Sequence, residues 1–209
     1  MEIFGEGWKN YTARIKANWE KLISPEDTVV VPGDLSWAIS LEEALPDFLW
    51  LDRLPGRKFM IKGNHDYYWC SLTKMRRFLG ENGIISVDFI HNSSVSVEGL
   101  SLCGTRGWFL DSGDDTHIFQ RELGRLKASL SAARPGEKIV CFLHYPPLCR
   151  EFDCPEIRSI MEEAGVSSCY YGHLHGASHS GAFSGMHNGI RYACVSADGV
   201  GFMPVLVRV

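Results

Sequence analysis

The sequence predicts an α/β fold in which helices flank a core of two sheets, forming a single domain over residues 1–209. Up to Gly83, short apolar runs of buried-strand length alternate with amphipathic stretches of helical period. From Ile84 the period changes to strict alternation around turn dipeptides. Finally, 209 residues suffice for one sizeable core and are short for two, and no repeat or low-complexity linker divides them.

In chain order, Trp8 to Ile23 reads as a helix with Trp8, Tyr11, Ile15, Trp19 and Leu22 on one face, stopped by Pro25. Val29 to Val31 is a buried strand turned outward by Pro32-Gly33. Ser40 and Glu43 form a capping box that opens a helix to about Leu54, ended by Pro55-Gly56. Lys58 to Ile61 is the second buried strand, and Leu72 to Leu79 a helix with Gly83 as its stop. Ile84 to His91, Val95 to Val97 and Leu100 to Cys103 read as antiparallel strands around Asn92-Ser93 and Glu98-Gly99. A loop from Gly104 to Gly113 precedes a helix from Thr116 to Ala133, with Ile118, Leu123, Leu126 and Leu130 inward. Ile139 to Leu143 is the third buried strand. A loop and a short helix near Gly165 lead to the fourth, Cys169 to Tyr171. Asn188-Gly189 marks a hairpin, with strands near Ile190 to Val195 and Pro204 to Val209.

Composition excludes several classes. A formal net charge of -4 gives no basic field for nucleic acid or anionic membrane. No apolar stretch reaches the roughly 18 to 20 residues of a membrane span. Glu2 to Glu6 lacks a basic leader region. The seven cysteines include no Cys-x-x-Cys, and Cys103, Cys141, Cys169 and Cys194 lie in apolar runs. Free buried thiols and a cytoplasmic location are therefore expected.

The chemistry gathers at strand ends. Val29-Val30-Val31 runs into Pro32-Gly33-Asp34, and Phe59-Met60-Ile61 into Lys62-Gly63-Asn64-His65-Asp66. Ile139 to Leu143 runs into His144, and Cys169-Tyr170-Tyr171 into Gly172-His173-Leu174-His175. Strand ends in open α/β sheets are where ligand sites form. Imidazole with carboxylate and amide oxygen suits Zn, Mn or Fe rather than Ca or Mg. No cysteine joins the set, which argues against a structural zinc site. One strand-end histidine is usually a structural hydrogen-bonding residue, but four such ends are hard to produce by chance.

Gly33-Asp34, Gly63-Asn64-His65-Asp66, His144 and Gly172-His173-Leu174-His175 together resemble, in order, the motifs of the calcineurin-like metallophosphoesterases. The resemblance spans Gly33 to His175 and implies two mixed sheets sandwiched between helices, a four-layer αββα arrangement. It implies hydrolysis of a phosphoester, mono- or diester, by a hydroxide activated between two metals. Asp34 would bridge the metals, Asn64, His144 and His173 would complete one site, and His175 would bind the other. His65 would serve the leaving oxygen and Asp66 would orient His65.

The family's first motif, a strand ending in Asp-x-His, has no counterpart before Gly33. Asp115-Thr116-His117 reads instead as a helix start capped by Asp114 or Asp115. The second metal site is thus expected to have only Asp34 and His175, and the fold to lack its N-terminal strand. The alternative function is a non-catalytic phosphate- or nucleotide-binding protein with a single metal. An exposed sheet edge would favour a homodimer. Arg106 is a candidate phosphate ligand, or else a loop arginine stacked on Trp108. His179 and His187 read as solvated loop residues near the pocket rim. Tyr67, Tyr68 and Trp69 read as core aromatics with a lesser case for substrate stacking.

Overall fold

A computed structural model describes residues 5–109 and 116–209. Two sheets lie face to face with helices outside each. The first sheet is parallel, in the order β1 (Thr28–Val31), β2 (Arg57–Met60), β3 (Val87–Phe89). Helices α1 (Tyr11–Leu22), α2 (Leu41–Asp52) and α3 (Leu72–Glu81) cover its outer face, where Phe48, Met60, Met75 and Phe89 are fully buried.

The second sheet is larger. Its neighbours run β10 (Gly185–His187), β11 (Ile190–Cys194), β9 (Val166–Tyr171), β6 (Lys138–Leu143), β5 (Leu100–Thr105), β4 (Val95–Val97). Helices α4 (Thr116–Ser131) and α5 (Pro155–Glu163) pack on it through Leu126, Leu130, Ile157 and Met161. Between the sheets lie Phe59, Ile61, Ile90, Val140 and Phe142. A short hairpin of β7 (Leu148–Cys149) and β8 (Phe152–Asp153) sits in the loop expected after His144.

The local signals explain most elements. Ser40 Oγ accepts from the Glu43 N–H at 3.2 Å, while Glu43 Oε2 accepts from the Ile39 N–H at 3.0 Å, one residue earlier than an ideal capping box. Glu98 and Gly99 at φ 50° and 80°, and Asn188 and Gly189 at 46° and 80°, make the tight turns of two hairpins. Lys58 is fully buried because its Nζ donates to the Leu54 carbonyl at 2.6 Å, just past the end of α2. All seven cysteines are free thiols.

Five expectations are corrected. β3 is parallel to β2, not antiparallel, because α3 carries the chain across before it returns. The larger sheet is mostly parallel inside, with antiparallel pairs at its two edges and in the separate β7–β8 hairpin. β1 is half-buried, since it is the edge of its sheet. Asn10 at φ 54° breaks the first helix after Trp8, and Leu22 is half exposed. Residues 204–209 form no strand, having no ladder partner among the described residues. No described helix is long and apolar enough to cross a membrane.

The register aligns the strand ends. Thr105, Leu143, Tyr171 and Cys194 are successive cross-strand partners, and Val31 pairs with Met60. The loops leaving these rows therefore open on one side of the molecule.

Candidate metal centre

Two turns meet at the ends of β1 and β2, and glycines let them touch. Gly33 has φ 93°, and a Cβ there would lie 2.6 Å from Gly63 Cα and 2.7 Å from His144 Nδ1. A Cβ on Gly63 would overlap Asp34 Oδ1. Asp66, fully buried, ties the turns together. Its Oδ2 accepts from the Gly63 and Asp34 N–H groups at 2.7 and 2.9 Å. Its Oδ1 accepts from the Leu35 and Ser36 N–H groups and from the Tyr68 hydroxyl at 3.0, 3.4 and 2.9 Å. Burial raises the pKa of Asp66, with the Gly63 N–H opposing.

Asp34 itself stands at φ 58°, and His173 at 69°, both in a region that residues with a Cβ seldom occupy. Such strain is held in place by the surroundings and gathers at functional positions. Burial also raises the pKa of Asp34, against the His65 N–H that donates to its Oδ1 at 2.9 Å.

The donor set fits a divalent cation. His144 Nδ1 donates to the Pro32 carbonyl at 2.9 Å, which leaves the lone pair on Nε2. Burial lowers the His144 pKa to about 4, so the ring is neutral near pH 7. That Nε2 lies 2.7 Å from Asn64 Oδ1 and 3.5 Å from Asp34 Oδ2. Three lone-pair donors thus confront one another, an arrangement that a cation between them relieves. The His173 ring is 5.2 Å from that of His144, wedged by Tyr145 and Phe109. The four residues expected to form one metal site are brought together.

His65 lies beside them but is not oriented by Asp66, whose oxygens are taken by backbone donors and the Tyr68 hydroxyl. Its Nδ1 meets the Tyr67 hydroxyl at 2.9 Å and its ring stacks on Trp37 at 4.5 Å. Tyr67 is exposed at the site, whereas Tyr68 is buried on Asp66 and Trp69 packs against Phe89.

His175 stands apart from these bonds. Its Nδ1 is 2.8 Å from Asp198 Oδ1, and His179 Nε2 is 2.9 Å from the same oxygen. Asp198 was not foreseen, although the signal exists: the apolar run into Cys194 and Val195 also ends in polar residues, Ser196-Ala197-Asp198. His179 is a partner of Asp198, not a solvated loop residue. His187 instead meets Arg158 at 3.1 Å.

A cavity of about 680 Å³ opens over the site, floored by Asp34, His144, His173 and His175. Trp8, Tyr11, Trp19 and Trp37 supply an aromatic wall. Arg106 is not among its lining; its guanidinium lies 6.0 Å over Tyr145 rather than on Trp108, which packs on Phe119. The Glu122 carboxylate anchors that loop through the Thr105 hydroxyl and the Gly107 N–H. Asp114 and Asp115 lie outside the described residues.

The calcineurin-like phosphoesterase family model matches residues 8–177. The chain belongs to the calcineurin-like phosphoesterase family. Its site is accordingly that of a metal-dependent phosphoester hydrolase family. Among solved structures, it is similar to the protein of unknown function AQ665 from Aquifex aeolicus, with 17% identity and a TM-score of 0.50 over 94% of this chain and 81% of that one. Another solved structure, 13% identical, covers 72% of this chain and 62% of its own with a TM-score of 0.51. These likenesses support the fold alone. No curated protein matches the sequence.

Proposed function

We propose that this calcineurin-like phosphoesterase hydrolyses a phosphoester held over Asp34, with His65 serving the leaving oxygen. The observation that carries the reading is the convergence of Asp34, Asn64 and the His144 Nε2 lone pair, delivered from three separate strand ends. These residues with His173 would hold one divalent metal, of the Mn, Zn or Fe class, and His175 would hold a second. Metal bound there would neutralise phosphate charge and acidify water. Asp34 and Asn64 orient their oxygens through the turns that Asp66 knits, so little reorganisation remains when substrate arrives. His65 Nδ1 lies 2.9 Å from the Tyr67 hydroxyl, and when that hydroxyl donates the ring carries its proton on Nε2. The Trp37 stack fixes the plane of that ring.

The test uses 4-nitrophenyl phosphate and bis(4-nitrophenyl) phosphate, which separate monoesterase from diesterase activity. His65→Ala should lower turnover by about 10² to 10⁴ with metal content unchanged. Asp34→Ala and His144→Ala should lose metal by elemental analysis. If metal-loaded protein cleaves neither compound, the hydrolase reading gives way to a phosphate-binding protein.

A further inference from the structure

We infer that Lys62, His91, Arg106 and Arg125 form a binding site for a phosphate-class oxyanion, beside the metal centre but sharing no residue with it. Each comes from a different element. Lys62 and His91 leave the parallel neighbours β2 and β3, in which Met60 pairs with Phe89. Ile61 and Ile90 follow into the core between the sheets, so Lys62 and His91 emerge at one level. β5 faces them from the other sheet: a Cβ on Gly104 would lie 2.5 Å from Ile61 Cδ1. Arg106 follows two residues later. Arg125 stands on α4, one turn before Ser129. The Ser129 hydroxyl accepts from the Gly104 N–H at 2.9 Å and donates to the Ser93 carbonyl at 2.7 Å.

This packing leaves positive charge in excess. Lys62 is repelled by both Arg106 and Arg125. Glu122 is the carboxylate bonded within the group, and it is already engaged. Its Oε2 accepts from Arg125 at 3.0 Å, and its Oε1 from the Thr105 hydroxyl and the Gly107 N–H. Asp66 also attracts Lys62, but its oxygens are spent on backbone donors and Tyr68. Arg106 Nε is buried and has no hydrogen-bond partner among the described residues. The half-buried Lys62 makes no hydrogen bond or ion pair among them. Buried charge of one sign calls for a partner, and guanidinium with ammonium donors suits a tetrahedral oxyanion. Burial, then Arg125, lowers the pKa of His91, which leaves a neutral ring able to donate one N–H.

Tyr145 adjoins both sites. The Arg106 guanidinium lies 6.0 Å from its ring centre, and the His144 and His173 rings lie 5.1 and 4.6 Å from it. The inference does not rest on the hydrolase reading, because its test reads binding and not turnover.

Inorganic phosphate is titrated into the ¹⁵N-arginine-labelled full chain, and the Arg106 Nε–H resonance, assigned with Arg106→Lys, is followed by NMR. A saturable shift is expected in the unaltered protein and again in His144→Ala, whose metal centre is broken. Lys62→Gln should weaken phosphate binding at Arg106 about tenfold. No shift at Arg106, or one that disappears in His144→Ala, overturns the proposal. Unchanged affinity in folded Lys62→Gln does the same. Methylenediphosphonate then separates the sources of the anion. One midpoint shared by Arg106 and His144 marks a second phosphate on the substrate, whereas tighter binding of inorganic phosphate marks a free-anion site. Because the first readout uses the unaltered chain, a variant that folds poorly does not shield the idea.

Discussion

The two halves of the site are made by opposite means. At the ends of β1 and β2 the ligands stand on turns sunk into the core. Asp66 is fully buried there, and four backbone N–H groups and a hydroxyl converge on it. After β9, His175 precedes and His179 stands on a 3₁₀ turn, Gly176–Gly181, that buries none of its residues, while Asp198 follows β11. His175 and His179 keep 22% and 25% of their side-chain surface exposed. The first half is organised before any ligand arrives; the second leans on the single carboxylate of Asp198.

The largest expected effect probes the rigid half. Asp66→Ala strands four N–H groups in the core and should cost about 3–5 kcal/mol, or roughly 10 °C in Tm. Urea and thermal unfolding measure it, and metal should leave the Asp34 site as well. A loss under about 1 kcal/mol would erase the contrast between the halves.

Next come paired glycines. Gly63→Ala forces a methyl into Asp34 Oδ1 and should cost about 1–3 kcal/mol, with weaker metal binding. Gly176→Ala meets nothing within 4 Å and pays only for φ 57°, about 1 kcal/mol. Unfolding curves that rank the two in reverse would show that the second half is the tighter one.

The smallest effect concerns acid. Burial pushes the Asp198 carboxyl up, but hydrogen bonds from His175, the Gly176 N–H and His179 outweigh it and bring the pKa down to about 2. A folded-state value below the unfolded one stabilises above the ordinary carboxyl range, near pH 4, and that stability is lost as pH falls toward 2. Solvent screening limits it to about 1 kcal/mol. Metal-free Asp198→Asn should show a correspondingly shallower loss of stability between pH 5 and 2, followed by unfolding at stepped pH.

Much of the strand framework was legible because a buried strand must be apolar and must end at a turn. Val29 to Val31, Lys58 to Ile61, Ile139 to Leu143 and Cys169 to Tyr171 coincide with four strands to within a few residues. The β4–β5 and β10–β11 hairpins were legible because Glu98-Gly99 and Asn188-Gly189 accept positive φ. Strand direction was not, since β3 has the same alternation whether it runs with β2 or against it. Nor was the fate of residues 204–209, because a strand exists only where a neighbouring edge receives it.

By itself the sequence determined where ligand-capable side chains gather, since Asp34, Asn64, His144, His173 and His175 each follow an apolar run and the register of parallel strands brings such ends level. Tertiary structure alone decided what those side chains lean on. Asp66 adjoins His65 in sequence, yet serves the backbone of residues 34–36, because the two turns pack glycine to glycine. Asp198 comes to His175 from 23 residues away and accepts its hydrogen bond at 2.8 Å. Strand-end composition is a local property, whereas a hydrogen-bond partner depends on which loops the closed sheets set side by side.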